Sequence, residues 1–149
     1  MTRLAMRPAL AIPILLLASS CSDVPTDETP RGAVRLFLSA MARTHDDPSA
    51  LREAYSLLSA SSRRALIERA RFAESLGATK LEPWDMIVRT RARPAFTPAP
   101  GARGMRERID GDRAVVVVTN ADGSRRAEVP LVRERGRWRI VIDIPPLRE

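Results

Sequence analysis

"MRERIDGDRAVVVVTNADGSRRAEVPLVRERGRWRIVI", residues 105–142, decides the fold. Apolar side chains recur here at every second position, and the alternation breaks at "DGD", "NADGS" and "ERG". A period of two marks half-buried strands, and short breaks rich in Gly, Asn and Asp mark hairpin connections. The stretch therefore predicts four strands, Met105–Ile109, Arg113–Thr119, Arg125–Val132 and Arg137–Ile142, in an antiparallel meander. Ala127, Val129 and Leu131 share a face of the third strand, and Trp138, Ile140 and Ile142 share a face of the last. The opposite face carries Arg106, Arg108, Arg126, Arg137 and Arg139, interrupted by Glu128.

Upstream, from Thr29 to Gly77, the period is helical. Thr29-Pro30 sets a capping hydroxyl before a first-turn proline. Val34, Phe37, Leu38 and Met41 then fall at i, i+3, i+4 and i+7. Asp46-Asp47-Pro48 repeats the start signal, with Asp47 as cap. A short helix follows, turning Leu51, Ala54, Tyr55 and Leu58 inward. "SASSRRALIERARFAESLG", residues 59–77, opens on capping serines and carries Leu66, Ala70, Ala73 and Leu76 on one stripe, with Gly77 suited to close it. "WDMIV", residues 84–88, reads as a further strand with Trp84, Met86 and Val88 on one face, and Arg93–Gly104 as a Pro- and Gly-rich loop. Helices first and a meander after make an α+β layer structure, with the helices on one face of the sheet.

The chain begins differently. Arg3 and Arg7 precede an apolar run, Ala9–Ala18, and Ala18, Ser19 and Ser20 lead into Cys21. A basic start, a short apolar middle and a small-residue cleavage site predict a secretory signal peptide over residues 1–20. The run is about half the ~20 residues needed to span a bilayer, and Pro13 interrupts it. Ser22–Thr29 is polar and contains Pro25, the composition of a tether. The predicted division is signal peptide 1–20, cysteine and tether 21–29, and a single domain 30–149.

Composition narrows the partners. The chain of 149 residues has a formal charge of +7, and loss of Arg3 and Arg7 leaves +5. Lys80 is the single lysine among 25 basic residues, a bias that a GC-rich genome produces without any polyanion partner. No nucleic acid is expected of an exported chain, and a lone cysteine excludes an intrachain disulfide.

"LLLASSC", residues 15–21, resembles the lipobox of bacterial lipoproteins, in which the cysteine becomes the acylated first residue of the mature chain. The resemblance implies lipidation at Cys21 and a membrane anchor. Ser22, where an aspartate would resemble an inner-membrane retention signal, implies the outer membrane, facing the periplasm. "TPRGAVRLFLSAM", "LREAYSLLSASSRRAL" and the four strands ending in "GRWRIVI" resemble the nuclear-transport-factor-2-like superfamily. Within it they are most similar to small bacterial lipoproteins, over about residues 29–144. That resemblance implies a cone, a curved antiparallel sheet wrapping helices around an apolar pocket, on a fold that serves isomerases, hydratase-like and hydrolytic enzymes and many non-enzymes. Trp84, Met86, Trp138, Ile140 and Ile142 would line the pocket, which suits an apolar or lipid-like ligand. A dimer through the outer sheet face is common in the family.

Catalytic candidates are few. His45, the only histidine, lies in a helix–helix loop beside Asp46 and Asp47 and reads as a surface residue. Asp85 and Asp143 alternate to the outer face, and Tyr55 falls on a core stripe. Glu107 is the one carboxylate that alternation turns inward, between Met105 and Ile109; buried in an apolar pocket it would gain a raised pKa and serve as a base. The expectation is an envelope lipoprotein that binds or scaffolds without catalysis, metal or cofactor, its partners a membrane, an apolar ligand or an envelope protein. Arg106, Arg108, Arg137 and Arg139 are the candidate contacts to an anionic surface. The alternative is a small hydratase or isomerase working through Glu107.

Overall fold

A computed structural model describes residues 24–90, 94–101, 103–145 and 147 of the chain. Cys21 and the expected signal peptide lie outside them. Among the described residues no helix is long and apolar enough to cross a membrane.

The chain forms α1 (Pro30–Arg43), α2 (Ala50–Ser56), α3 (Ala60–Ser75), a 3₁₀ helix (Pro83–Arg89), and then β1 (Met105–Asp110), β2 (Arg113–Thr119), β3 (Arg126–Glu134) and β4 (Arg137–Ile140). The strands make an open antiparallel sheet in the order β1-β2-β3-β4. Helices and meander fall in the order and class that the sequence predicts. Thr29 caps α1, its hydroxyl accepting from the Gly32 N–H at 3.1 Å. Asp47, expected as the cap of α2, stands two residues before it: Ser49 holds the cap position, and the Asp47 carboxylate accepts from the Ser49 backbone N–H and hydroxyl. Ser59 caps α3 by accepting from the Ser62 N–H. Gly77, at φ 89°, closes α3. The Gly77 and Ala78 N–H groups turn back to the carbonyls of Glu74 and Ala73, the two bonds of a Schellman motif.

One core joins these elements. Val34, Phe37 and Met41 of α1 meet Val116 and Val118 of β2, Leu131 of β3, Trp138 and Ile140 of β4, Leu58, Leu66 and Ile87. The register places Ala114, Val116 and Val118 opposite Leu131, Val129 and Ala127, so one face of the sheet is apolar and lies under the helices.

Three further local expectations are corrected. "WDMIV" is not a strand but part of the 3₁₀ helix: Pro83 stands in its first turn, and the side chains of Glu82 and Asp85 each accept from the other's backbone N–H. That capping box fixes a helical turn that buries Ile87 together with Met86 and leaves Val88 58 % exposed. The α3 stripe buries Leu66 and Ala70, but Leu76 is 72 % exposed at the last turn. The third correction is that β4 ends at Ile140 rather than Ile142, for a reason that creates the cleft described next.

Candidate functional site

β3 is nine residues long and β4 four, and β4 pairs only with Leu131–Glu134. The next residue, Val141, donates its N–H to the Pro130 carbonyl at 2.9 Å. In an antiparallel ladder the partner returns a bond at the same pair, but proline has no N–H to give. The ladder stops there. Ile142 instead donates to the Ser62 hydroxyl of α3 at 2.9 Å, and Arg69 of α3 donates to the Pro145 carbonyl at 2.6 Å. These bonds draw residues 142–145 along α3 and away from β3.

The separation opens a cleft of about 820 Å³, walled on one side by Glu128, Val129 and Pro130 and on the other by the chain from Val141 to Pro145. Arg69 and Thr90 contribute polar lining. The Arg69 Nε–H is buried without a hydrogen-bond partner among the described residues. The volume lies in the range that binds small molecules or short chain segments.

The expected pocket residues are not brought together here. Ile140 and Ile142 line the cleft, but Met86 and Trp138 are buried in the core and Trp84 lies elsewhere. Trp84 stands edge-on to Tyr55, with ring centroids 6.1 Å apart, and under the Arg52 guanidinium at 4.8 Å. Burial raises the Tyr55 hydroxyl above its ordinary pKa, partly offset by Arg63.

Glu107, the candidate base of the alternative reading, is found in an ion pair. It turns inward as alternation requires, but not into an apolar pocket: Ile109 beside it is exposed. Its carboxylate accepts from the Arg31 backbone N–H at 3.2 Å and pairs with the Arg31 guanidinium at 3.3 Å. It thereby serves the amino end of α1, whose first turn holds no acidic residue of its own and whose N–H groups need acceptors. Glu107 does not line the cleft. His45 and Asp143 are exposed. Among the described residues no three His, Cys, Asp or Glu side chains converge as a metal site would need.

The arginine stripe divides. Arg106 and Arg108 are exposed, whereas Arg137 and Arg139 are held by Asp27 at 2.7 and 2.6 Å. The expected tether is thus shortened, because its last residues dock on the domain. The Asp27 carbonyl accepts from the Trp138 N–H on the free edge of β4 at 2.8 Å. Further along, Ile140 donates to Leu57 and accepts from Ser59, so the β4 edge is covered end to end, as a soluble sheet requires.

Burial pushes the Asp27 carboxyl up, but hydrogen bonds from Arg139 and Arg137 and their charges outweigh it and hold the pKa below the ordinary 3.8. A carboxyl lowered on folding contributes stability in full above its unfolded pKa and loses it as pH falls through the folded one. Docking of this segment should therefore hold at about pH 5 and loosen progressively below about pH 4. Hydrogen exchange at the Trp138 amide, corrected for its intrinsic rate, reads this directly. Unchanged protection down to about pH 2 would show that the carboxylate is not what holds the segment.

No family model, curated protein or solved structure matches the chain significantly. The site is thus characterised by its own geometry. Sequence reasoning missed Pro130, Arg69 and Asp27. Proline inside "AEVPLV" was the available signal, since a strand proline belongs at an edge or a break.

Proposed function

We propose that this chain is an exported, lipid-anchored envelope lipoprotein whose α+β domain, nuclear-transport-factor-2-like in type, binds a partner in its cleft without catalysis. The observation that carries the proposal is "LLLASSC" after Arg3 and Arg7, followed within a few residues by the first docked residues of a folded domain. Cys21 would carry the lipid, and two or more acyl chains hold a protein stably where one does so marginally. The reading favours the outer membrane, periplasmic side, on the strength of Ser22. The order of helices and meander supports the superfamily reading, and the pairing of Glu107 with Arg31 supports a binding role over acid–base work.

Expressed in a two-membrane bacterium, the wild type should take up a fatty-acid probe and sediment with membranes. Cys21→Ala should lose the label. Equal labelling of both proteins would overturn the anchor.

A further inference from the structure

We infer that the cleft beside β3 takes an extended polypeptide segment, with one basic residue flanked by apolar ones, as an added strand. The inference rests on the reading of the domain as a binding module and names the class of its ligand. In β3 the Pro130 carbonyl faces the β4 side, since it accepts from Val141 there. Backbone direction alternates along a strand, so Glu128 and Arg126, two and four residues back, turn their N–H and C=O groups to the same side. β4 does not reach them. Asp143, which next faces β3, makes no backbone bond to Glu128 among the described residues. Half of this edge of β3 therefore has no strand partner, and the cleft lies against it.

An unpaired strand edge is satisfied by another backbone, the mode of recognition in strand addition. A lipid tail would leave these donors and acceptors unmet, at a cost for each buried group. Side chains on the two faces of an added strand would meet different surroundings. On the inner face lie Val129, Ile142 and Ile144, which pack against the core. On the outer face Glu128 is exposed and without an ion pair among the described residues, while Arg126, exposed two residues back, sets a positive charge at the far end of the edge. Apolar side chains fit the first, and a basic one fits the second only opposite Glu128. The residue opposite Glu128 shares its face and turns its own N–H to β3, so that residue is the basic one.

The test uses the full chain in nanodiscs of neutral phosphatidylcholine and a fluorescein-labelled, end-capped Val-Lys-Val peptide, read by anisotropy. Saturable binding is expected. Methylating the backbone nitrogen of the lysine should weaken it roughly tenfold, the effect of one lost backbone hydrogen bond. Glu128→Lys should weaken the unmodified peptide by a similar factor and leave the melting temperature within a degree or two. Binding that ignores backbone methylation would overturn strand addition, as would absence of binding at millimolar peptide. Displacement of a bound fluorescent fatty acid from the cleft by lipid alone, with no effect of peptide, would do so as well. Each outcome is independent of whether Cys21 is acylated.

Discussion

Replacing Trp138 with alanine is expected to lower the stability of the domain by about 3–5 kcal/mol, the range for emptying a buried aromatic site. Trp138 is 4 % exposed and stands on the inner face of β4 within the core. Arg133 lies 6.0 Å over its ring. Its backbone bond to Asp27 survives the substitution, so the loss isolates the side chain. A domain of this size holds roughly 5–15 kcal/mol in all, and the variant should therefore be marginal. Urea denaturation with an unchanged slope and a lower midpoint would express the effect. Trp84→Ala is the contrast: that ring is half-buried against Tyr55 and Arg52, and about 1–2 kcal/mol is expected. A Trp138 variant melting with the wild type would place the ring at the surface and invert the β4 register.

Gly32→Ala should destabilise the domain by about 1–2 kcal/mol, against the ordinary sign of such a change. Alanine in a helix gains up to about 1 kcal/mol over glycine, so a free first turn of α1 would be strengthened. Here an added Cβ would stand 1.9 Å from the Thr26 carbonyl oxygen and 2.7 Å from the Thr29 hydroxyl. A backbone oxygen yields only if its whole segment moves, and forced contacts of this kind cost about 1–3 kcal/mol. The segment before α1 should lift, carrying Asp27 away from Arg137 and Arg139. Limited proteolysis before Thr29 should quicken in step with the loss of stability. A variant more stable than wild type would show that residues 26–28 do not lie over the helix start.

What the sequence disclosed follows from range. The α1 stripe of Val34, Phe37 and Met41 was legible because cap, first-turn proline and period agree over fourteen residues. The hairpins were legible because their turns are local: Gly111 at φ 57° and the Arg135-Gly136 pair at 51° and 79° adopt backbone that the sequence advertises. "WDMIV" failed because alternation over five residues is weak evidence, and the Glu82–Asp85 capping box competes with it. Leu76 failed because the periodic stripe continues to the last turn of the helix, where its side chain remains exposed. The Asp27 contacts cross 110 and 112 residues, and no local pattern records them. The cleft was half-visible. Pro130 could be seen to lack a donor, but which edge lacks it depends on register, and only pairing with Val141 fixes that.

The docking of Asp27 also sets how the protein bears load. A pull at the amino terminus reaches Asp27 before it reaches α1. The first links to be strained are then the ion pairs of Asp27 with Arg137 and Arg139 and of Glu28 with Arg137, and the Trp138 N–H bond at the sheet edge, while the apolar core is still slack. Exposed or edge interactions open locally at far lower free energy than a core. Their release would lengthen the lead by Asp27 and Glu28, about 7 Å of extended chain, with Thr29 still capping α1. Under such a pull the segment would act as a mechanical fuse, yielding a fixed increment of reach before tension passed to the fold.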